Sequence, residues 1–215
     1  MIAVRSDRSD RSPARFAAVV LAAGAGRRFG GCKQLAKLRG RPLLEHALIA
    51  AADGPAAKTV LVLGARAEAI ERGVDPGDAI VVRCPDWERG PGASLRAGLA
   101  ALGPEIAAAL IILGDEPFVS PEASRRLVAA RRSDLPALRA TYRGRPGHPV
   151  LIERPLFAPL MATGPDAKPA TFLHQAGIET VECGDLGDPT DIDTQEQLIA
   201  LDRSGDRSPE RDSNS

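Results

Sequence analysis

Aromatic side chains are scarce in this sequence: they make up 3% of its 215 residues, with a single Trp and a single Tyr. Proteins that bind single-stranded nucleic acid stack its bases on aromatic rings, so this scarcity argues against a nucleic-acid partner. The charge balance agrees, because 28 Lys and Arg offset 28 Asp and Glu and leave no net charge to attract polyanions. Because aromatic residues are scarce, the hydrophobic core must consist mainly of Ala, Leu, Val and Ile side chains.

Cysteine patterns and long apolar runs are also missing. Cys32, Cys84 and Cys183 lie far apart without a CxxC pair, which argues against a disulfide framework and a zinc site. No run approaches the roughly 18 apolar residues of a membrane span, and the N-terminal segment lacks the apolar centre of a secretory signal. We therefore expect a soluble, cytoplasmic protein with reduced thiols and no membrane partner.

The two ends of the chain lack apolar periodicity. RSDRSDRSPAR (5–15) and DRSGDRSPERDSNS (202–215) mix Arg, Ser, Asp and Pro, and such segments bury too little surface to offset their conformational entropy. We predict disordered tails over 1–15 and 202–215. No composition shift marks a linker between them, so residues 16–201 are predicted to form one domain.

Between the tails, short apolar runs alternate with segments of helical periodicity. The predicted strands are FAAVVLA (16–22), TVLVLG (59–64), AIVVR (79–83) and AAALIILGDEP (107–117, running into an acidic turn), and the predicted helices are PLLEHALIAAAD (42–53, with Pro42 in its first turn), ARAEAIERG (65–73), GASLRAGLAALG (92–103) and PEASRRLVAARR (121–132). Buried strands separated by short helices indicate βαβ units and a parallel sheet covered on both faces. Beyond residue 135 we expect two strands around a glycine turn, helical stretches and a last strand near 177–182. The predicted fold is α/β, a three-layer α/β/α sandwich with a mostly parallel, Rossmann-like sheet.

A glycine-rich, cationic stretch, LAAGAGRRFGGCK (21–33), begins within the first strand and runs past its end. Its glycines can turn backbone N–H groups towards an anion, and Arg27, Arg28 and Lys33 add the charges that bind phosphate. A dinucleotide site requires G-x-G-x-x-G opening directly into a helix, whereas this stretch reads G-x-G-x-x-x-G and the first helix begins only at Pro42. No P-loop motif is present either. The stretch therefore predicts a triphosphate cradle, with a solvated loop as the alternative.

Two acidic turns complete this pattern. LGDEP (113–117) places Asp115 directly after a buried strand, and DPTDIDT (188–194) offers Asp191 and Asp193. Two carboxylates together with substrate phosphates are the usual way in which proteins hold Mg²⁺. Taken alone, each turn also fits a helix cap, which is the commoner role of a turn such as 188–194.

These motifs carry a resemblance to a known family. LAAGAGRRFGGCKQL, WERGPGASLRAGL, LGDEP, GRPGHPVLI and DIDTQEQL occur in the order found in nucleotidyltransferases of the molybdenum-cofactor type, and the sequence is most similar to their cytidylyl-transferring branch. The resemblance runs from about residue 16 to 201. It implies a glycosyltransferase-A-like sheet of the nucleotide-diphospho-sugar transferase type. It also implies Mg²⁺-dependent transfer of NMP, with CMP from CTP favoured by Ala23, to a small phosphorylated acceptor of the molybdopterin type, with release of pyrophosphate.

The resemblance also implies roles for individual residues. Arg27 would clamp the β- and γ-phosphates, Lys33 would neutralise the α-phosphate, and Asp115 would bind the metal with Asp193, or Asp191, as second carboxylate. The nucleotide-binding set would comprise Leu21, Ala22, Ala23, Gly24, Gly26, Arg27, Lys33, Gly92 and Ser94, although Ser94 equally fits a helix cap.

The acceptor side rests on weaker signals. The family places GHPV beside the acceptor, which suggests His148, with Asp191 as a further candidate, although a lone His is more often a packing residue. Two departures bear on this side: Glu116 stands where relatives often have Gln or Met, and GPDAKPATFL (164–173) replaces a GDxGAR-like stretch. Asp166 and Lys168 could supply its charges, but the spacing differs.

Other functions remain open from the sequence. The same site could serve a sugar phosphate, a phospholactate-like acid, or guanylyl transfer to the same pterin. A non-catalytic nucleotide- or cofactor-binding chaperone is another class, although a mere binder has little need of Lys33 at the α-phosphate. An NAD-binding oxidoreductase fits least because the glycine spacing is wrong. Transient contact with a molybdoenzyme or its chaperone is expected for the product.

Overall fold

The computed structural model describes residues 15–164 and 167–205. Seven of the strands in these ranges form the main sheet, and two more form a small separate hairpin. The strands are β1 (Arg15–Ala22), β2 (Lys37–Leu38), β3 (Arg41–Pro42), β4 (Lys58–Leu63), β5 (Ile80–Arg83), β6 (Ile106–Leu113), β7 (Ala137–Tyr142), β8 (Arg145–Glu153) and β9 (Glu179–Glu182). The main sheet has the order β5-β4-β1-β6-β8-β7-β9, and of its described strands β8 alone runs antiparallel to its neighbours. The mostly parallel sheet predicted from the sequence is therefore confirmed.

Helices cover both faces of this sheet. They are α1 (Leu43–Ala52), α2 (Ala67–Gly73), α3 (Pro91–Ala100), α4 (Pro121–Ala129), α5 (Phe157–Met161), α6 (Pro169–Gln175) and α7 (Gln195–Gly205). Successive side chains of a strand point to opposite faces, so Val19 packs in one core with Leu99 of α3, and Val20 packs in another with Leu44 of α1. Because both faces are buried, β1 is apolar from Phe16 to Ala22, and the three-layer α/β/α architecture is confirmed.

One local expectation at the start of α1 was wrong. The sequence placed Pro42 in the first helical turn, but Pro42 pairs with Lys37 in the small β2–β3 hairpin and the helix begins at Leu43. The hairpin turns through Arg39 and Gly40, which both have positive φ, at 52° and 78°. Two-residue turns of this kind usually carry Asn-Gly or Asp-Gly, so an Arg-Gly pair gave little signal.

The predicted tails are only partly within the described structure. Their boundaries at residues 15 and 202 fall inside β1 and α7, and residues 1–14 and 206–215 lie outside the described residues. Asp166, a candidate substitute charge on the acceptor side, lies outside them as well. Within the part of the chain that is described, no helix is long and apolar enough to cross a membrane.

Gly98 of α3 is packed tightly against the sheet. A Cβ at this position would lie 2.4 Å from Cγ1 of Val19 and 3.1 Å from Cγ2 of Val62. We expect Gly98→Ala to lower the free energy of unfolding by about 1–2 kcal/mol, because the strain of overpacking exceeds the gain in helix propensity. Denaturant unfolding measures this change. Gly164→Ala is the matched control, since a Cβ there meets open space; equal stability of the two variants would contradict the packing.

Candidate active site

The glycine-rich stretch leaves β1 as a tight turn at the carboxyl edge of the sheet. A 3₁₀ turn over Arg27–Phe29 is bounded by Gly26 and Gly30, whose φ angles are 62° and 75°. A Cβ on Gly26 would also lie 2.9 Å from the carbonyl oxygen of Gly31. Glycine is therefore required at position 26 both by the backbone conformation and by the close approach of the chain.

Gln34 holds this turn from the inside. Its side chain is buried, and its amide Nε2 donates hydrogen bonds to the carbonyl oxygens of Ala22, at 3.1 Å, and Gly24, at 3.0 Å. Gln34 was not among the site residues predicted from the sequence. The one signal for it was a polar side chain directly after Lys33, in a segment that otherwise leads into apolar residues.

Lys33 lies between the two acidic turns. Its Nζ is 2.6 Å from Oδ2 of Asp115 and 3.0 Å from Oδ1 of Asp193, and the residue is only 6% exposed. Burial lowers the pKa of the Lys33 ammonium, but the charges and hydrogen bonds of Asp115 and Asp193 outweigh this effect, so its pKa lies above the usual value. The structure thus brings together three residues that the sequence singled out.

The two acidic turns are joined by a buried contact. The backbone N–H of Ile192, a fully buried residue, donates to the carbonyl oxygen of Asp115 at 3.1 Å. The neighbouring Asp193 donates its N–H to Oε1 of Gln197 at 2.7 Å, and Arg28 contacts its Oδ2 at 2.6 Å. These bonds fix the Asp193 carboxylate opposite that of Asp115.

Helix capping is performed by other residues in both turns. The Ser120 hydroxyl accepts the N–H of Glu122 at the start of α4, and the Thr194 hydroxyl accepts the N–H of Gln197 in α7. Asp115 and Asp193 are therefore free of the capping role that the sequence left open. Asp191 is exposed on the same loop and lies outside the two clefts described next.

Two adjoining clefts open at this edge of the sheet. The main cleft, about 260 Å³, is lined by the glycine turn, both arginines and the three residues Lys33, Asp115 and Asp193. The side cleft, about 460 Å³, adds Trp87 and Ser94 and shares the glycine turn. Eight of the nine predicted nucleotide-binding residues line one or both clefts: Leu21, Ala22, Ala23, Gly24, Gly26, Arg27, Lys33 and Ser94.

Gly92, the ninth predicted residue, lines neither cleft. A Cβ on it would lie 2.8 Å from the carbonyl oxygen of Ala167, so it packs against a neighbouring segment. Ser94 is buried inside α3 rather than at its N-terminus, so it does not cap the helix. It lines the side cleft instead. Trp87 packs against the apolar core and also forms part of the side-cleft wall.

His148 lies on the other side of β6 from these clefts, near the start of β8. Its ring Nδ1 is 2.8 Å from Oε1 of Glu116, and Glu116 is only 4% exposed. Glu116, which stands where relatives often have Gln or Met, thus turns its carboxylate towards His148. His46 bonds the carbonyl oxygen of Leu38 and has a structural role.

Comparison with known proteins shows the family of this chain. The sequence matches the family described as MobA-like NTP transferase domain over residues 18–181, a span that includes the glycine turn, Lys33 and Asp115. The chain belongs to that family. It is therefore a nucleotidyltransferase, and the activity class predicted from the sequence is confirmed.

Two curated relatives align with this MobA-like NTP transferase over nearly their whole length. A protein named nicotine blue oxidoreductase from Paenarthrobacter nicotinovorans is 34% identical, covering 85% of this chain and 94% of its own. A molybdenum cofactor guanylyltransferase from Acidiphilium cryptum is 32% identical, covering 90% of this chain and 97% of its own. The predicted resemblance to nucleotidyltransferases of the molybdenum-cofactor type is confirmed.

A solved structure bears on the metal. The complex of Rv0371C with manganese from Mycobacterium tuberculosis H37Rv is 28% identical, with a TM-score of 0.71, covering 88% of this chain and 99% of that one. In this MobA-like NTP transferase, Asp115 and Asp193 converge on one ammonium group, which marks a point where two carboxylates can share a cation. The described residues contain no cluster of three or more His, Cys, Asp or Glu that could hold a metal ion.

Proposed function

We propose that this protein transfers CMP from CTP to a molybdopterin-type cofactor, with Mg²⁺ bound by Asp115 and Asp193, and releases pyrophosphate. The observation that carries the proposal is the meeting of Lys33, Asp115 and Asp193 in one cleft beneath the glycine turn. In-line displacement at phosphorus needs orientation and charge stabilisation more than acid–base groups. A cluster of fixed cations and carboxylates meets that need.

The reaction assigns each residue a part. A phosphate oxygen of the acceptor attacks the α-phosphorus of CTP, a new P–O bond forms, and the bond to the bridging oxygen breaks so that pyrophosphate leaves with that electron pair. Lys33 neutralises charge that builds on the α-phosphate oxygens. Arg27 lines both clefts, and in the proposal it contacts the β- and γ-phosphates. The divalent ion, when bound, polarises the phosphate oxygens and stabilises the leaving group.

Support for CTP over GTP comes from position 23. Ala23 is 4% exposed and fixed by the hydrogen bond from Ala65 N–H to its carbonyl oxygen, at 3.1 Å. Ala23 lines the side cleft together with Trp87 and Ser94. The cytidylyl-transferring branch that the sequence resembles has Ala at this position, which supports CTP.

The proposal extends to partners and location. The acceptor carries a phosphate, and the product passes by transient contact to a molybdoenzyme or its chaperone in the cytoplasm. The three described cysteines are free, consistent with a reducing compartment. A sugar phosphate, a phospholactate-like acid, or guanylyl transfer to the same pterin are the alternatives for the same site.

The relative named an oxidoreductase raises a second candidate, reduction of a small molecule by a nicotinamide cofactor. The basis is its 34% identity over 94% of its length. The local structure favours nucleotidyl transfer: the glycine turn enters the 3₁₀ turn Arg27–Phe29, and the next described α-helix begins only at Leu43. A dinucleotide-binding turn instead opens directly into a helix whose N-terminus binds the pyrophosphate.

One assay separates these candidates. The four NTPs are offered with Mg²⁺ and a panel of acceptors, namely molybdopterin, a sugar phosphate and phospholactate, and released pyrophosphate is measured. Oxidation of NADH and NADPH is followed in parallel with nicotine blue as the electron acceptor. We expect release with CTP and the pterin. Release with GTP instead would show that the nucleotide is not CTP, and release with another acceptor instead would show that the acceptor is not the pterin. Cofactor oxidation without any pyrophosphate would overturn the proposal in favour of the oxidoreductase.

A further inference from the structure

His148 reaches the active edge of the sheet from the side opposite the nucleotide clefts. In the antiparallel pair of β6 and β8, Ile111 lies opposite Val150, so the start of β8 lies beside the end of β6. The glycine turn and Trp87 lie on the β1, β4 and β5 side of β6. In an in-line attack the acceptor approaches the α-phosphorus from the side opposite the leaving pyrophosphate. Because the nucleotide clefts lie on the β1 side of Asp115, the acceptor would approach from the β8 side.

The His148 ring is held from two directions. Its Nδ1 bonds Oε1 of the buried Glu116 at 2.8 Å, and its own carbonyl oxygen accepts the Tyr142 hydroxyl at 2.6 Å. Tyr142 is 3% exposed. Both the backbone and the ring orientation are thereby fixed, while the side chain keeps 22% of its surface exposed.

The Glu116 carboxylate depends on this one contact. Its Oε2 is buried and has no hydrogen-bond partner among the described residues. Nδ1 of His148 is the one hydrogen-bonding partner that the described residues offer the Glu116 side chain. The other ring nitrogen, Nε2, has no bond to any residue in the described ranges and stays available to a ligand.

We propose that Glu116 is a positioning residue that fixes His148 so that Nε2–H donates to the phosphate of the acceptor. The proposal rests on the proposed function and deepens it, because it makes the acceptor a phosphomonoester and assigns a residue to its recognition. In this arrangement each ring nitrogen faces an anion, the Glu116 carboxylate on one side and the acceptor phosphate on the other, and hydrogen bonds to ionised acceptors are strong. Neither Glu116 nor Tyr142 touches the acceptor.

The test compares acceptor KM with kcat in variants of Glu116 and His148. Glu116→Met fills the buried site without a charge, and we expect it to raise acceptor KM about tenfold with little change in kcat or in KM for CTP. Glu116→Gln keeps an oxygen that accepts Nδ1–H, so it is expected to restore most of the affinity. In a His148→Ala background, Glu116→Met should add nothing further. Glu122→Met, at an exposed glutamate of α4, is the matched control.

A second readout does not need the acceptor. The chain has three histidines, so the ring nitrogens of His148 can be assigned by NMR with ¹⁵N-labelled protein and the His148→Ala spectrum. We expect the Nδ1–H form in the wild type and its loss in Glu116→Met. An unchanged ring in Glu116→Met, or an equal rise of acceptor KM with and without His148, would overturn the positioning role. Absence of pyrophosphate release by the wild type would instead overturn the proposed function, and the NMR result would still decide the Glu116–His148 contact.

Discussion

Replacing Asp115 by Asn is expected to lower kcat by about a thousandfold, with a change in the free energy of unfolding below about 1 kcal/mol. The carboxylate is removed from the pair that would hold the divalent ion, and a neutral amide is a far weaker ligand. Stability changes little because Asp115 is partly exposed, at 28% of its side chain, and Lys33 keeps its bond to Asp193. Pyrophosphate release and denaturant unfolding measure the two quantities.

Two asparagine variants on the second acidic turn sharpen this expectation. Asp193→Asn should resemble Asp115→Asn, because both carboxylates converge on Lys33. Asp191→Asn is the matched control, since Asp191 is exposed on the same loop outside both clefts. Full activity of Asp115→Asn, or loss of activity in Asp191→Asn alone, would refute the assignment of the carboxylates.

Replacing Lys33 by Met is expected to have two opposite effects. The nucleotidyl transfer rate should fall by about a hundredfold to a thousandfold, because the charge facing the α-phosphate is removed. The affinity for Mn²⁺ in the absence of nucleotide should rise about tenfold, because two carboxylates then lack their shared cation. Isothermal titration calorimetry measures the second effect independently of turnover.

The control for Lys33→Met is Lys37→Met, which removes the same charge from an exposed position in β2. It should leave both turnover and Mn²⁺ affinity unchanged. Weaker Mn²⁺ binding by Lys33→Met than by the wild type would show that the ammonium does not occupy the position of the metal.

Much of this fold could be predicted because its strands are buried on both faces. The continuous apolar runs of β1 and β6 admit few interpretations once helices alternate with them. The glycine turn and Asp115 could be placed together for the same reason: the carboxyl ends of adjacent parallel strands meet at one edge. The β2–β3 hairpin was missed because its strands have two residues each, too few for a periodic pattern.

The individual contacts within the site leave no such pattern in the sequence. Gln34 bonds only backbone carbonyls, which a sequence does not display. Asp191 and Asp193 differ in contacts that are distant in sequence: Asp193 contacts Lys33 and Arg28, whereas Asp191 is exposed. The Glu116–His148 contact spans 32 positions and follows from the reversed direction of β8.

Because β8 runs in the opposite direction, the proposed nucleotide side and acceptor side of the site come from different parts of the chain. The groups proposed to bind the nucleotide come mainly from loops that leave the ends of parallel strands, whereas His148 comes from the beginning of a strand that runs the other way. The β7–β8 hairpin can therefore change in sequence or length without moving the glycine turn or Lys33. In a protein with this topology, the residues on the acceptor side can change while the glycine turn and Lys33 stay in place.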